Sequence, residues 1–458
     1  MTLLTKAPRG TADVLPDESY KRKFVEDVLI DCAEDADFKE IRTPVFEHTE
    51  LFKRSVGETT DVVQKEMYTF EDNGRRSITL RPEVTAGCAR AFLEHGLFNE
   101  PLPQKYFYLT SCYRYEKPQA GRLREFHQFG VETLGSDSPA ADAEIIALAR
   151  HIFDMFEIDD ISLEINSIGC PECRKKYHAE LKKYFEERKD RLCETCLTRL
   201  EKNPMRILDC KSPVCQEIAK GAPVMLDFLC EDCKAHFEKV KKYLNAMQID
   251  YTVNPRIVRG LDYYTNTVFE FVSTGIGAQG TVCGGGRYNG LIKELSGDSI
   301  PACGFGMGIE RLMLLIKAKG KELPPDKKPI IYIIPASEDY SFEAMRIVNE
   351  LREAGVYAIT DLGSRTIKAQ MKYENKRNAV YTAVLGGDEI ESRTLSVKKM
   401  ESGEKIDFEL DTFVDDFAEL AVDALFENVL GGADGLFDDD DGSSGANPFL
   451  SLLNGGKK

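Results

Sequence analysis

No stretch of this 458-residue chain approaches the roughly 20 uninterrupted apolar residues that a membrane-crossing helix needs, so no membrane partner is expected. Met1 to Pro16 has no apolar core of the secretory-leader type, which points away from export and towards the cytoplasm. Basic residues do not predominate either: the net charge is −17, which taken alone argues against a polyanionic partner. The deficit is local, however. Between Ile406 and Asp441 there are 13 Asp or Glu and no Lys or Arg, which accounts for all but four of those charges. Local basic patches on the rest of the surface are therefore compatible with the total. The apolar fraction of 42% and charged fraction of 30% are those of an ordinary globular chain with a sizeable core.

Thirteen cysteines without a secretory leader read as thiols or metal ligands, not disulfides. Eight of them fall between Cys170 and Cys233. Around this stretch the chain divides into five expected parts: 1–166, 167–249, 250–324, 325–430 and 431–458. In the first, Glu18 to Ala36 has helical spacing, and Phe38 to Phe46 is an extended segment broken by a proline, suited to an edge or interface strand. Val84 to His95 is a helix. Tyr106 to Glu116 and Glu125 to Leu134 are strands of a long hairpin around the polar loop Lys117-Pro-Gln-Ala-Gly-Arg-Leu-Arg. The second part is mainly helical and interrupts the pattern. In the third, Val268 to Val272 and Thr281 to Cys283 are strands, Gly284-Gly-Gly-Arg-Tyr-Asn-Gly is expected to be a tight turn, and Gly304 to Leu312 leads from a strand into a helix. Leu323 to Pro329 is a linker. Beyond it, strands at Ile330–Ile334, Val356–Ile359 and Ala379–Leu385 alternate with helices at Ser341–Ala354 and Thr366–Lys376, a small α/β arrangement. Thr412 to Leu430 is an acidic amphipathic helix, and the low-complexity tail from Gly431 is expected to be disordered.

Chemistry concentrates in three strings. In Tyr113-Arg-Tyr-Glu, Arg114 and Glu116 are two apart on a strand and share a face. Arg114 can grip a phosphate with its planar fork, Glu116 can accept from an exocyclic amine, and Phe126 offers a stacking face. Gln128 and Glu132 continue on the facing strand. A surface ion-pair ladder would give the same pattern. In Arg259-Gly-Leu-Asp-Tyr-Tyr-Thr, the glycine permits close approach of a ligand and Tyr263 and Tyr264 could line a polar pocket; a turn with exposed aromatics is the plain alternative. In Gly304-Phe-Gly-Met-Gly-Ile-Glu-Arg-Leu, glycines ahead of a helix could cradle phosphate, although the segment has no Walker lysine and no Rossmann spacing, and tight packing explains it equally.

Taken together these strings resemble the histidyl-tRNA synthetases. Pro8-Arg-Gly-Thr-Ala-Asp-Val-Leu-Pro resembles the family's opening signature, Ile41 to Glu47 resembles class II motif 1, and Arg81-Pro-Glu-Val-Thr-Ala-Gly resembles its amino-acid-holding segment. Tyr113 to Glu132 resembles motif 2 and Gly304 to Leu312 motif 3. Arg259 to Tyr264 and Cys283 to Leu291 resemble the two histidine-specific signatures. The likeness runs from about residue 6 to 425. It implies a class II α+β catalytic core, an antiparallel sheet flanked by helices, with a mainly helical insertion and a C-terminal α/β anticodon-binding domain. It implies a homodimer that uses ATP and Mg²⁺ to activate L-histidine and charges tRNA(His). Glu83 and Thr85 would bind the α-amino group, Gln128 the carboxylate side, and Glu132 and Tyr264 the imidazole, with Tyr263 beside them. Arg114 and Arg259 would flank the α-phosphate as the catalytic cations, Arg122 and Arg311 would hold the outer phosphates, and Glu116 would read adenine over Phe126. Gln119 and Arg122 would touch the tRNA acceptor end. Arg365, Lys368, Lys372, Lys376 and Arg377 would form a basic patch for the anticodon loop, or equally a solvated helix face. A pocket that pairs both imidazole nitrogens would reject isosteres by stranding its own polar groups.

The same core without catalysis is the rival reading, as in the regulatory subunit of ATP phosphoribosyltransferase. That subunit lacks the anticodon domain, whereas Glu83, Arg259, Arg311 and the C-terminal α/β pattern are all present here. A non-enzymatic RNA-binding protein is a third reading, which would leave the ATP-type residues unexplained. In the insertion, Cys170/Cys173, Cys193/Cys196 and Cys230/Cys233 have zinc-knuckle spacing, while Cys210 and Cys215 form a looser fourth pair of which Cys210 reads as ordinary packing. Two pairs would make one tetrahedral Zn²⁺ site and four could make two; buried reduced thiols are the alternative.

Overall fold

Burial at helical intervals starts the chain. Val25, Val28, Leu29, Cys32 and Ala33 are buried on one stripe of α1 (Pro16–Asp35), which proline opens at its first turn. The computed structural model describes residues 4–57, 60–210, 212–257, 261, 263–275 and 280–430, with side chains to 422. The expectation for the tail from 431 therefore lies outside the described residues. Two units are distinguished, Met1–Glu322 and Leu323–Lys458.

The first unit continues through β1 (Lys39–Glu40), β2 (Phe46–His48), α2 (Thr49–Val56), β3 (Tyr68–Glu71), β4 (Ser77–Leu80), α3 (Thr85–Glu94), β5 (Gln104–Tyr113), β6 (Glu125–Leu134), α4 (Pro139–Met155) and β7 (Ile161–Ser167). Next come α5 (Pro171–Glu186), α6 (Glu194–Lys202), α7 (Pro213–Ala219) and α8 (Glu231–Ala246), which make up the cysteine-rich insertion. The core resumes with β8 (Thr252–Val253), β9 (Thr265–Ser273), β10 (Thr281–Arg287), α9 (Leu291–Ser296), β11 (Ala302–Gly308) and α10 (Ile309–Ala318). Eight strands form one sheet in the order β1-β5-β6-β11-β10-β9-β7-β8. Its six central strands are antiparallel; only the two-residue edges β1 and β8 pair parallel. A separate three-stranded sheet, β2-β4-β3, carries part of the segment expected to be one extended strand.

The expected turn at Gly284 to Gly290 is corrected. Gly284 to Arg287 lie inside β10, hydrogen-bonded to β9 on one side and β11 on the other. A Cβ on Gly285 would strike the Gly304 carbonyl, and one on Gly286 would strike that of Thr267. The glycines therefore permit close strand approach, and the chain turns only after them. Arg287, fully buried, closes the strand. It binds Asp142 of α4 through Nε at 3.2 and 3.1 Å, and the Ser136 carbonyl at 2.7 Å. His236 of α8 meets the same carboxylate at 3.2 Å.

The second unit comprises β12 (Ile331–Pro335), α11 (Ser341–Glu353), β13 (Ala358–Thr360), α12 (Ile367–Arg377), β14 (Tyr381–Leu385), α13 (Gly387–Ser392), β15 (Thr394–Lys399), β16 (Lys405–Glu409) and α14 (Phe413–Leu430). Its sheet order is β13-β12-β14-β15-β16, parallel in the first three strands and antiparallel beyond. Phe413, Phe417 and Ala421 of α14 are buried against it. The strands β15 and β16 extend the expected α/β pattern.

Candidate active site

Glu132 and Gln128 share one face of β6, two positions either side of Gly130. The hairpin register sets Tyr108 opposite Gly130, and Tyr108 crosses the space a side chain would fill. Its hydroxyl donates to Glu132 Oε1 at 3.1 Å. On the other side, β11 sets Gly304 opposite Glu132 and Gly308 opposite Gln128. A Cβ on Gly304 would run into the Glu132 carboxylate and one on Gly306 into the Gln128 amide. The glycines expected to cradle phosphate thus lie within a central strand and clear room for two polar side chains.

Glu132 is buried and receives three hydroxyls. Thr85 Oγ1 donates at 2.6 Å, Tyr108 donates to the same oxygen, and Tyr288 bonds the other oxygen. Burial pushes its pKa up to about 8, against these hydrogen bonds and with the neighbouring Glu83 adding to the rise. Glu83 is also raised by burial; its Oε1 accepts from the Ala86 amide at 3.0 Å, while its buried Oε2 has no partner. An unpaired buried carboxylate oxygen costs stability and suits a ligand donor. Tyr263, Tyr264 and Tyr288 pack edge-on or tilted, with ring centroids 4.8 to 6.3 Å apart.

Beside this polar pocket lies a cavity of about 690 Å³, whose wall includes Glu83, Thr85, Arg114, Glu116, Arg122, Phe126, Gln128, Tyr263, Tyr264 and Arg311. Glu132 is behind the wall, reached through Thr85, and Gln119 is outside it. Arg114 donates from Nε to the Pro82 carbonyl at 2.8 Å and lies 5.2 Å from the centre of the Phe126 ring. Arg122 pairs with Glu116 across the loop, so the residues expected to read adenine and phosphate are here bonded to each other. The loop closes where the Gln119 and Arg122 backbones exchange hydrogen bonds at 3.0 and 2.9 Å, with Gly121 at φ +66°. Arg311, in the first turn of α10, donates to the Gly121 carbonyl at 3.3 Å and also bonds that of Thr281. Burial lowers the pKa of both Arg122 and Arg311, and the positive charge of Arg114 lowers both further. Three arginines gathered on one wall are an arrangement suited to an anion. Arg259 lies outside the described residues.

Three contributors escaped the sequence reading. Tyr108 and Tyr288 look like strand and turn aromatics until the register sets them on Glu132. Glu310 accepts from the His127 backbone at 3.0 Å and meets its Nδ1 at 2.8 Å, fixing β6 to α10. The insertion also departs from expectation. Cys170, Cys173, Cys230 and Cys233 form one cluster, and Cys193, Cys196, Cys210 and Cys215 another, each with its sulfurs within 4.8 Å. Cys210 is thus part of a quartet and not ordinary packing, because the short turn after Ile207 brings it against Cys193, Sγ to Sγ 3.8 Å.

Residues 10–312 match the family model described as histidyl-tRNA synthetase, and residues 331–420 the anticodon binding domain model. A histidine–tRNA ligase of Clostridium novyi is 55% identical over 415 residues, covering 91% of this chain and 99% of the relative. The chain belongs to the histidyl-tRNA synthetase family. The Acetivibrio thermocellus histidine–tRNA ligase is 52% identical over 90% of this chain and 99% of its own. Among solved structures, the apo histidyl-tRNA synthetase of S. aureus superposes with a TM-score of 0.77 at 39% identity, covering 91% of this chain and all of that one. A Bacillus halodurans structure described as ATP phosphoribosyltransferase regulatory subunit/histidyl-tRNA synthetase has a TM-score of 0.60 at 22% identity, a likeness of fold. The expected synthetase architecture, an antiparallel sheet with flanking helices and a separate C-terminal α/β domain, is the observed one, with parallel pairing added only at the two sheet edges.

Proposed function

We infer that this chain is a histidine–tRNA ligase: it joins histidine to ATP as histidyl-adenylate with release of pyrophosphate, then transfers histidine to the 3′ end of tRNA(His). The observation that carries this reading is the presence of both family modules, catalytic and anticodon-binding, at 10–312 and 331–420. The regulatory-subunit alternative has no use for the second.

The site supports a division of labour. The α-amino group of histidine meets Thr85 and the unpartnered Glu83 oxygen, Gln128 faces the carboxylate side, and the ring packs against Tyr263 and Tyr264 and takes over one of the hydrogen bonds on Glu132. ATP lies on the arginine side, Arg114 at the α-phosphate and Arg122 and Arg311 at the outer phosphates, with Glu116 released to the adenine amine over Phe126. The histidine carboxylate attacks the α-phosphorus in line and the bond to pyrophosphate breaks. No proton transfer is demanded of the protein, so alignment and charge neutralisation supply the rate. Arg259 is read as the second cation at the α-phosphate. In the second reaction the terminal ribose hydroxyl attacks the aminoacyl carbonyl, AMP leaves, and the hydroxyl proton passes to the departing phosphate. Gln119 and Arg122, at the loop tip, are assigned to the tRNA acceptor end.

On the cavity wall Glu310 is engaged by His127 and Arg22, Glu116 by Arg122 and Asp61 by Arg199. That donor set fits Mg²⁺ bound chiefly through phosphate oxygens, where it would neutralise the charge of the leaving pyrophosphate. The insertion's cysteines are read as zinc ligands. A homodimer is supported by Val45, Phe46 and Phe70, exposed on or beside the three-stranded sheet in the motif 1 region. A cytoplasmic location accords with the substrate tRNA, and no helix among the described residues is long and apolar enough to cross a membrane. The basic patch keeps Lys368, Lys372, Lys376 and Arg377 exposed, as an RNA contact requires. Histidine-dependent exchange between ATP and labelled pyrophosphate tests the reading; no exchange by metal-replete protein overturns it.

A further inference from the structure

The eight cysteines of the insertion fall into two groups with different surroundings. Cys170 and Cys230 are the N-caps of α5 and α8, with Cys173 and Cys233 one turn in. This quartet sits where the insertion leaves and rejoins the core, and the Asn266 side chain of β9 lies 3.3 Å from Cys233 Sγ. Cys193 caps α6, Cys196 follows one turn in, Cys215 lies in α7, and Cys210 precedes it. Cys193 and Cys210 line the substrate cavity, together with Arg199 and Arg206.

Four sulfurs about a tetrahedral Zn²⁺ at roughly 2.3 Å lie about 3.8 Å apart. The distances here are 3.5 Å for Cys170–Cys173, 3.9 Å for Cys173–Cys233 and 3.8 Å for Cys193–Cys210. Disulfide sulfurs would be at about 2.05 Å. Backbone amides point at the sulfurs: Cys230 N–H at Cys173, 3.1 Å; Cys193 N–H at Cys215, 3.3 Å; Ser212 N–H at Cys210, 3.4 Å. Such donors stabilise thiolate charge. The second quartet also gathers α6 and α7, of nine and seven residues, which are too short to persist by helical propensity. A metal clip that closes this loop offsets the cost of ordering it.

We propose that the insertion carries two separate tetrathiolate Zn²⁺ centres, Cys170–Cys173–Cys230–Cys233 at its root and Cys193–Cys196–Cys210–Cys215 in the wall of the substrate cavity, the second holding Arg199 and Arg206 beside the bound substrates. Arg199 pairs at 3.1 Å with Asp61, which lines the same cavity. The two-site assignment stands on the sulfur geometry; the coupling to substrates rests on the synthetase reading of the cavity.

The test is zinc analysis of the full-length chain purified under reducing conditions, with thiols counted after denaturation. Two Zn²⁺ per chain are expected, one lost in Cys173→Ser/Cys233→Ser and the other in Cys196→Ser/Cys215→Ser. Zero or one zinc in the unmodified chain overturns the proposal, as does loss of both metals in either double variant while its circular dichroism stays that of the parent. On the unmodified chain, a chromogenic chelator should extract zinc in two phases. Saturating ATP and histidine should slow by about ten-fold or more only the phase belonging to the cavity site. Equal rates with and without substrates, in protein that carries out pyrophosphate exchange, overturn the coupling. Absent exchange would instead discredit the synthetase reading, and the zinc count would still decide the two sites.

Discussion

Histidine binding should release a proton from Glu132. In the ligand-free protein this carboxyl is buried among Thr85, Tyr108 and Tyr288, and its pKa is pushed up to about 8. At pH 7 it is therefore mostly protonated, and ionising it costs on the order of 1 kcal/mol. An imidazole N–H placed on Glu132 favours the ionised form, so the bound state pulls the pKa down. Between pH 6.5, below which the free imidazole itself becomes charged, and pH 8, the Kd for histidine should fall nearly ten-fold per unit and then level off. Titration calorimetry at pH 7 in buffers of differing ionisation enthalpy should show close to one proton released per histidine. The same carboxyl should make the ligand-free protein less stable as pH rises. Its folded pKa is above its unfolded value, so its contribution is intact below about 4.5 and is lost progressively up to about 8. Glu132→Gln should flatten both dependences and weaken histidine binding about 10- to 100-fold, the cost of a lost hydrogen bond to a charged group. A pH-independent Kd between 6.5 and 8 with no proton release would refute this account of the pocket.

Arg311→Ala should raise the KM for ATP and lower kcat for pyrophosphate exchange by about 10²–10³, the usual cost of removing one positioned electrostatic donor, without moving the KM for histidine; a change confined to histidine would reverse the assignment. Gly306→Ala should displace Gln128 and reduce histidine affinity at least ten-fold with ATP affinity unaltered; unchanged kinetics would show that Gln128 does not need that space. Asp142→Asn should destabilise the protein by about 3–5 kcal/mol in denaturant unfolding, since Arg287 would lose its buried counter-ion and keep only the exposed Asp137 at 3.5 Å; a loss under about 1 kcal/mol would mean that Asp137 and its carbonyl partners suffice.

Much of the architecture was legible where one physical signal acted alone. Alternation on either side of a polar loop gave the β5–β6 hairpin, and helical spacing gave α1, α3 and α12. Glycine was the main source of error. A run such as Gly284-Gly-Gly reads as a turn because turns need conformational freedom, yet here the missing side chains serve strands that approach one another too closely for a Cβ. The same ambiguity hid what Gly304 and Gly306 do for Glu132 and Gln128. Tyr108 and Tyr288 were missed for a different reason: a tyrosine in a strand is usually core, and only the register shows whose carboxylate it meets. Which cysteine pairs combine was likewise beyond spacing, because only the fold sets Cys170 and Cys173 with Cys230 and Cys233, and Cys193 and Cys196 with Cys210 and Cys215.

The carboxylate of Asp142 serves two masters, Arg287 at the end of a signature strand and His236 on α8 of the insertion. One buried acid therefore locks the insertion's last helix to the part of the core that frames the amino-acid pocket. The insertion is for that reason a poor candidate for exchange between synthetases. A chimera that keeps the core's Asp142 but receives a foreign segment without a histidine at the position of His236 would leave the acid with Arg287 alone, and its grafted helix without this hydrogen bond to the core. Swaps should succeed only when acid and imidazole travel together.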